Sequence, residues 1–238
     1  MKLVTKDLTQ TKVWLSSLER KAVMKVIESS FSNVVPEVYF AKYFEQDDAF
    51  KRKLRLYLDN DKVVGFCLIT FSSGKSNKDL KVVMIKACAA FIPQYRRGGN
   101  TFTYSLYESF KYWLSAPWKK IYYADTMLSP AMYRAIAKNV GVIWPHPNHS
   151  TTNALFELFN AKGEFNREES LRCLMYVGRV SKYSDKELAS FEKSKKLEIE
   201  YYCKLNPDFN KGMALFVIIP VHFKQLLQTA YKMYFRSK

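Results

Sequence analysis

The run Phe91 to Thr101, F-I-P-Q-Y-R-R-G-G-N-T, constrains this chain more than any other stretch, because of what flanks it. An apolar segment, Val82 to Ile92, leads into it with a strand's composition, and Phe102 to Trp113 leaves it as a helix. A strand that ends in a glycine-containing turn and opens a helix can aim several unpaired backbone N–H groups at one anion. The helix dipole favours negative charge at that end. Two arginines inside the turn carry the matching charge. The pattern predicts a phosphate cradle, whereas a Gly-Gly turn without these flanks reads only as a turn.

The totals set bounds on the partners. The chain has 238 residues, 48% of them hydrophobic and 16% aromatic, with 8 Gly and 8 Pro, a composition that can bury a sizeable core and is far from disorder. A formal net charge of +16 biases it toward anionic partners, and from charge alone nucleic acid is one of them. The basic residues cluster only briefly, at Lys51 to Arg55, at Arg96 and Arg97, and at Lys193 to Lys196. Cys67, Cys88, Cys173 and Cys203 lack C-x-x-C spacing and His146, His149 and His222 form no zinc pattern, so no metal is expected. The N-terminus has no apolar core of signal-peptide length, and Met213 to Val221 is well short of the ~20 residues of a spanning helix. A cytoplasmic chain with no transmembrane segment is the expectation.

Taken in order, Thr11 to Ser16 reads as a first strand. Ser16 and Glu19 form a capping box ahead of a helix to Phe31, and Pro36 opens a second helix to about Phe44. Leu54, Leu56 and Leu58 alternate with polar neighbours, D-N-D turns, and Val63 to Phe71 returns as the other half of a hairpin containing Gly65. A polar turn, Ser72 to Asp79, precedes the strand Leu80 to Ile92. Lys119 to Met127 is a further strand, and Ser129-Pro130 caps a helix to about Asn139. This order predicts a mixed α/β fold with a largely antiparallel sheet flanked by helices. Beyond it, Leu171 to Val180, Leu197 to Cys203 and Met213 to Val221 read as strands, and Ser184 to Lys196 as an exposed helix. The terminal helix carries Phe223, Leu226, Leu227, Ala230 and Tyr234 along one face, and reads either as docked on its own domain or as a basic amphipathic surface for a membrane or partner.

The order of elements, Gly65, and the sequence Phe91, Ile92, Pro93, Gln94, Tyr95, Arg96, Arg97, Gly98, Gly99, Asn100, Thr101 resemble the GNAT superfamily of acyl-CoA-dependent N-acyltransferases. Members of that family carry Arg-x-x-Gly-x-Gly/Ala at the end of the fourth strand. Thr101 departs from the last position. The resemblance covers about residues 11 to 143 and implies a GNAT-like core over residues 1–144, with 145–238 as a C-terminal extension completing or packing on it. It implies that backbone N–H groups of Arg96, Arg97, Gly98, Gly99, Asn100 and Thr101 hold the CoA pyrophosphate. Backbone around Phe91 and Ile92 would bind the pantetheine arm, where the fourth and fifth strands of the family splay apart. Acetyl-CoA or a longer acyl-CoA would be the donor, and a small-molecule amine or a protein the acceptor.

The acid and base are less defined. At the place of the family's helical Tyr stands Ile136, and Tyr133, about one turn earlier, is the candidate acid for the leaving thiolate. Asp125, a carboxylate in an apolar and aromatic strand, reads equally as a general base of raised pKa or as a strand-end acid that caps a turn. Cys88 reads as a small core residue. His146 and His149, in W-P-H-P-N-H-S, are alternative bases if that loop borders the acceptor site. Two other functions fit the same sequence: a long-chain N-acyl amino acid or acyl-homoserine-lactone synthase-like enzyme, and a non-catalytic basic nucleic-acid-binding module on the same fold.

Overall fold

A computed structural model describes residues 3–11, 14–74, 82–96, 99–151 and 153–236. The elements run β1 (Val4–Thr9), α1 (Ser17–Ser30), β2 (Phe31–Ser32), α2 (Pro36–Phe40), β3 (Lys51–Asp59), β4 (Lys62–Gly74) and β5 (Val82–Phe91). They continue with α3 (Thr101–Ser115), β6 (Lys120–Met127), α4 (Pro130–Ala137), α5 (Asn153–Phe159), β7 (Leu174–Tyr176) and β8 (Val180–Ser181). Last come α6 (Asp185–Glu192), α7 (Leu197–Leu205), β9 (Met213–Pro220) and α8 (Phe223–Arg236). Seven strands form one sheet in the order β1-β3-β4-β5-β6-β9-β7, antiparallel at every step except β5 to β6. The largely antiparallel mixed sheet expected from the sequence is present.

Each face of the sheet carries its own core. On one side α1, α2 and the π-helical turn after it (Ala41–Glu45) lay Val23, Val26, Ile27, Phe40 and Phe44 against Leu54, Leu56, Phe66 and Leu68. Full burial of such side chains is worth roughly 1.5–3 kcal/mol each. The other side holds α3, α4 and α7 over Ile69, Ile85, Tyr123 and Val217. Side chains alternate along β5, so Val83, Ile85 and Phe91 face the second core while Ala90 faces the first. β9, M-A-L-F-V-I-I-P, is buried at all positions but its first, as a strand covered on both faces must be. It lies between β6 and β7, so a segment from beyond residue 144 is hydrogen-bonded directly to Tyr122–Met127.

Several elements differ from the sequence reading. Thr11 and Trp14–Ser16 form no strand, and Lys12 and Val13 lie outside the described residues. The first strand is β1, an edge strand whose first four residues are exposed. It is held by backbone pairing to β3 and by a two-pronged ion pair from Arg55 Nε and Nη2 to Asp7, 2.6 Å each. The polar turn Ser72 to Asp79 begins later than expected, because β4 extends to Gly74, and residues 75–81 lie outside the described residues. Of Leu171 to Val180, Leu174–Tyr176 form the short β7 and Val180 opens β8. Leu197 to Cys203 is helical, because Ile199, Tyr202 and Leu205 recur at helical spacing on the buried side.

The terminal helix exists, and of its expected apolar set only Leu226 packs against the core, while Phe223 stacks on Trp113 at 6.4 Å. Phe223, Leu227 and Tyr234 are 57%, 53% and 57% exposed, and Ala230 is exposed too, whereas Gln225 and Thr229 are buried. The physical reason lies in the loop beneath. Gln225 exchanges hydrogen bonds with Val142 N–H (2.8 Å) and C=O (2.7 Å), and Thr229 Oγ1 accepts the Gly141 N–H at 3.0 Å. A covered loop must have its backbone groups satisfied, and α8 supplies the partners.

Candidate functional site

β5 and β6 pair in parallel only from Val82↔Lys120 to Ile85↔Tyr123. The same register carried two residues further would set Ala87 opposite Asp125. There the backbones have parted, and the Asp125 carboxylate spans the gap: Oδ2 accepts the Ala87 N–H at 2.8 Å, and Oδ1 accepts the Thr126 N–H at 2.7 Å. Burial pushes the Asp125 pKa above the ordinary carboxylate range, opposed by these backbone donors. Beyond it the strands diverge into an open V. Ile92 N–H donates to Val64 C=O at 3.0 Å, which makes Gly65 and Phe91 a non-hydrogen-bonded pair across β4 and β5. By alternation the N–H and C=O groups of Ala87, Ala89 and Phe91 point away from β4, into the V. The Ala87 N–H meets Asp125 there, and the Phe91 carbonyl accepts from Ser30 Oγ at 2.9 Å.

The loop at the end of β5 is built around the Phe91 ring. A Cβ on Gly65 would lie 2.2 Å from Phe91 Cδ1, and one on Gly99 would lie 2.0 Å from its Cζ, so both positions require glycine. The ring sits between two strands' ends and fixes the loop by shape. Tyr95 adds a tether, its hydroxyl donating to Asp59 Oδ2 at 2.5 Å. Asn100 caps α3, Oδ1 accepting from Thr103 N–H at 3.3 Å, which leaves the N–H groups of the helix's first residues for an outside acceptor. Phe91, Arg96, Gly99, Thr101 and Phe102 line a cavity of about 470 Å³ that runs along the V under α3 and α4. Ile92 faces away from it, and Arg97 and Gly98 lie outside the described residues.

The remaining residues singled out in the sequence fall elsewhere. Tyr133 is fully buried, donates to the Pro145 carbonyl at 2.8 Å and does not line the cavity, so it is no acid for a group bound there. That bond ties α4 to the following loop. Cys88 faces the α1 and α2 side, and burial pushes its thiol up to about 12, which suits a core residue rather than a nucleophile. His146 and His149 stack on each other at 4.5 Å beside Tyr201, away from the cavity wall.

The Lys51 to Arg55 cluster is not a free basic surface. Arg52 is 2% exposed and bonded to Tyr43 C=O, Gln10, Gln46 C=O and Asp48, Lys53 pairs with Glu108, and Arg55 with Asp7.

One cavity residue escaped the sequence reading. Tyr183 lines the wall beside Ser129, to whose Oγ its hydroxyl donates at 2.9 Å, and its ring lies 5.1 Å from the Arg96 guanidinium. Burial holds its pKa above the ordinary phenol value, so it stays a proton donor at neutral pH. It lies in the loop between β8 and α6, far in sequence from the β5 loop, and no local pattern marks it.

No protein-family model matches the sequence, and no curated protein matches it. Solved structures similar to this chain include the NatC complex bound to Gag peptide and CoA, with a TM-score of 0.39 and 13% identity over 93% of this chain and 99% of that one. Another is the ribosomal-protein-S18-alanine N-acetyltransferase from Escherichia coli, at 0.37 and 10% over 92% and 96%. A third is an aminoglycoside 6'-N-acetyltransferase complexed with coenzyme A, at 0.37 and 9% over 91% and 96%. At such distances the reading of this chain rests on its own residues.

Proposed function

We propose that this chain is a divergent GNAT-type N-acyltransferase that takes acetyl-CoA or a longer acyl-CoA as donor and an amine as acceptor. The observation that carries the reading is the open V between β5 and β6, with the backbone of Ala89 and Phe91 turned into it and the Arg96–Thr101 loop at its mouth. Unpaired strand groups inside a sheet need a partner, and an extended amide-bearing arm can pair with them as a strand would. Arg96, the Gly99 backbone and the start of α3 provide charge and N–H donors for phosphates. Asn100 belongs to the same loop, and Arg97 and Gly98, next in sequence to Arg96, are proposed with it as pyrophosphate ligands.

The thioester supplies an acyl carbon open to an amine. The chain's residues hold that carbon beside the V, and Tyr183 is positioned to give a proton to the leaving sulfur. Asp125 is assigned to propping the V apart, since both its oxygens already accept backbone N–H groups. Residues 145–238, through β9, are read as completing the sheet of the 1–144 core. Isothermal titration with CoA tests the proposal: saturable binding that raises the melting temperature is expected, and a hundredfold excess over Kd is worth about 2.7 kcal/mol. Absence of binding overturns it.

A longer acyl group is favoured by the apolar share of the cavity's lining, which includes Cys67, Phe110, Tyr123, Ile219 and Val221. Affinity that rises from C2 to C14 acyl-CoA supports this reading, and flat affinity removes it. A nucleic-acid-binding role has less support, because the basic cluster at Lys51 to Arg55 is occupied by internal partners.

A further inference from the structure

Arg179 is a buried cation that no carboxylate among the described residues pairs with, Asp125 acting on it only through space. It is 7% exposed, yet it takes part in none of the ion pairs among the described residues. Its Nη1 donates to the Tyr43 hydroxyl at 2.8 Å, and its Cζ lies 5.8, 5.2 and 5.1 Å from the ring centroids of Phe31, Tyr39 and Tyr43. Its Nε is buried without an acceptor. The guanidinium is therefore held by one corner and by its face, while Nε, which forms one edge of it with Nη2, has no hydrogen-bond partner among the described residues. That edge is the one a carboxylate bridges with two parallel hydrogen bonds. Arg55 does this with Asp7 in the same chain.

The arginine is also placed by design of the backbone. Gly178, at φ +75°, turns the chain just before it, and the N–H groups of Val177 and Gly178 both donate to the Gly212 carbonyl. Past it, β8 pairs with β2, matching Phe31 to Ser181, and both of those residues line the cofactor cavity. The guanidinium thus stands one ring away from that cavity, on the α1 and α2 side of the sheet. Cys88, between Ala87 and Ala89 of the V, points to the same side.

We propose that Arg179 is the acceptor-recognition residue, and that the acceptor is an amine that also carries a carboxylate, as a free amino acid does. The carboxylate lies on the Nε and Nη2 edge, and the amine reaches toward the V. This rests on the acyl-CoA reading above. Transfer forms a bond from the acceptor nitrogen to the acyl carbon, the carbon–sulfur bond breaks, and the proton lost by the amine is balanced by the one gained by the thiolate.

The test titrates the common L-amino acids and their carboxamides into the full chain by calorimetry, once with CoA present and once without it. At least one amino acid is expected to bind, its carboxamide about tenfold or more weaker. Arg179→Lys, which keeps the charge and loses the two-pronged edge, should weaken the acid alone and leave CoA affinity unchanged. Tyr43→Phe, which removes only the corner bond, should weaken it less and serves where Arg179→Lys does not fold. Carboxamides that bind as well as the acids, or no binding by any amino acid in either series, overturn the proposal. If CoA binds in that case, the acyl-CoA reading stands without it. If CoA fails to bind while an acid binds through Arg179, the anion site stands and the acyl-CoA reading falls.

Discussion

Asp125 accepts the Ala87 N–H at 2.8 Å at the place where β5 and β6 cease to pair through their backbones. A side chain has taken over one rung of a parallel ladder, and it is longer than a backbone carbonyl, so the strands stand apart there. Asp125→Asn leaves one acceptor oxygen and turns an amide N–H₂ toward a backbone donor. The expected result in urea is a loss of about 1–3 kcal/mol. Under the proposed function, acyl transfer at saturating acyl-CoA should fall by less than about tenfold, because a prop is not a proton carrier. A fall in kcat of about a hundredfold or more with stability intact would assign Asp125 to general base catalysis instead.

The Phe91 ring between Gly65 and Gly99 gives a second expectation. Gly65→Ala places a methyl 2.2 Å from Phe91 Cδ1, closer than any relaxed contact, and overpacking of this kind costs about 1–3 kcal/mol. Phe91→Ala removes every ring atom concerned. The double variant should therefore be more stable than the sum of the two single changes allows, as measured by a denaturant cycle. Strict additivity would mean that the ring moves aside freely and does not shape the loop.

Much of this was legible beforehand, and the reasons differ by element. The end of β5 at Phe91, the start of α3 at Thr101 and the Ser16–Glu19 capping box are local, so spacing alone places them, and all three are found. β1 was missed because an edge strand held by backbone pairing and Asp7–Arg55 has no apolar alternation to read. α7 was misread because L-E-I-E-Y alternates like a strand, while its burial at Ile199, Tyr202 and Leu205 is helical. α8 docks through Gln225 and Thr229, and a sequence pattern cannot know that the loop beneath has backbone groups to satisfy. Tyr183 and Arg179 reach the region of the V only through the tertiary fold, by way of the β2–β8 pair.

Two tyrosines carry opposite expectations. Tyr133→Phe deletes a buried hydroxyl and leaves the Pro145 carbonyl without its donor, for a loss of about 1 kcal/mol and kcat/KM within about twofold. Tyr183→Phe deletes the hydroxyl beside Ser129 in the cavity wall, and kcat should fall by about a hundredfold with CoA affinity little changed. Equal effects of the two changes on kcat would mean that Tyr183 acts only through packing.

The stacked histidines predict an acid-sensitive term in stability. Burial, with His149 and Lys232 adding repulsion, lowers the His146 pKa to about 4, below its unfolded value near 6.5. In the window between those values the unfolded chain binds the proton and the folded chain does not. The contribution is present above about pH 6.5 and is lost as pH falls toward about 4. Because the ring is only half-buried, its worth is discounted to about 1–2 kcal/mol. His146→Gln removes this titration, so between pH 7 and pH 4 the wild type should lose about 1–2 kcal/mol more than the variant in urea unfolding. Carboxylate titrations common to both proteins cancel in the difference. Parallel losses would show that the imidazole is solvated and does not resist protonation.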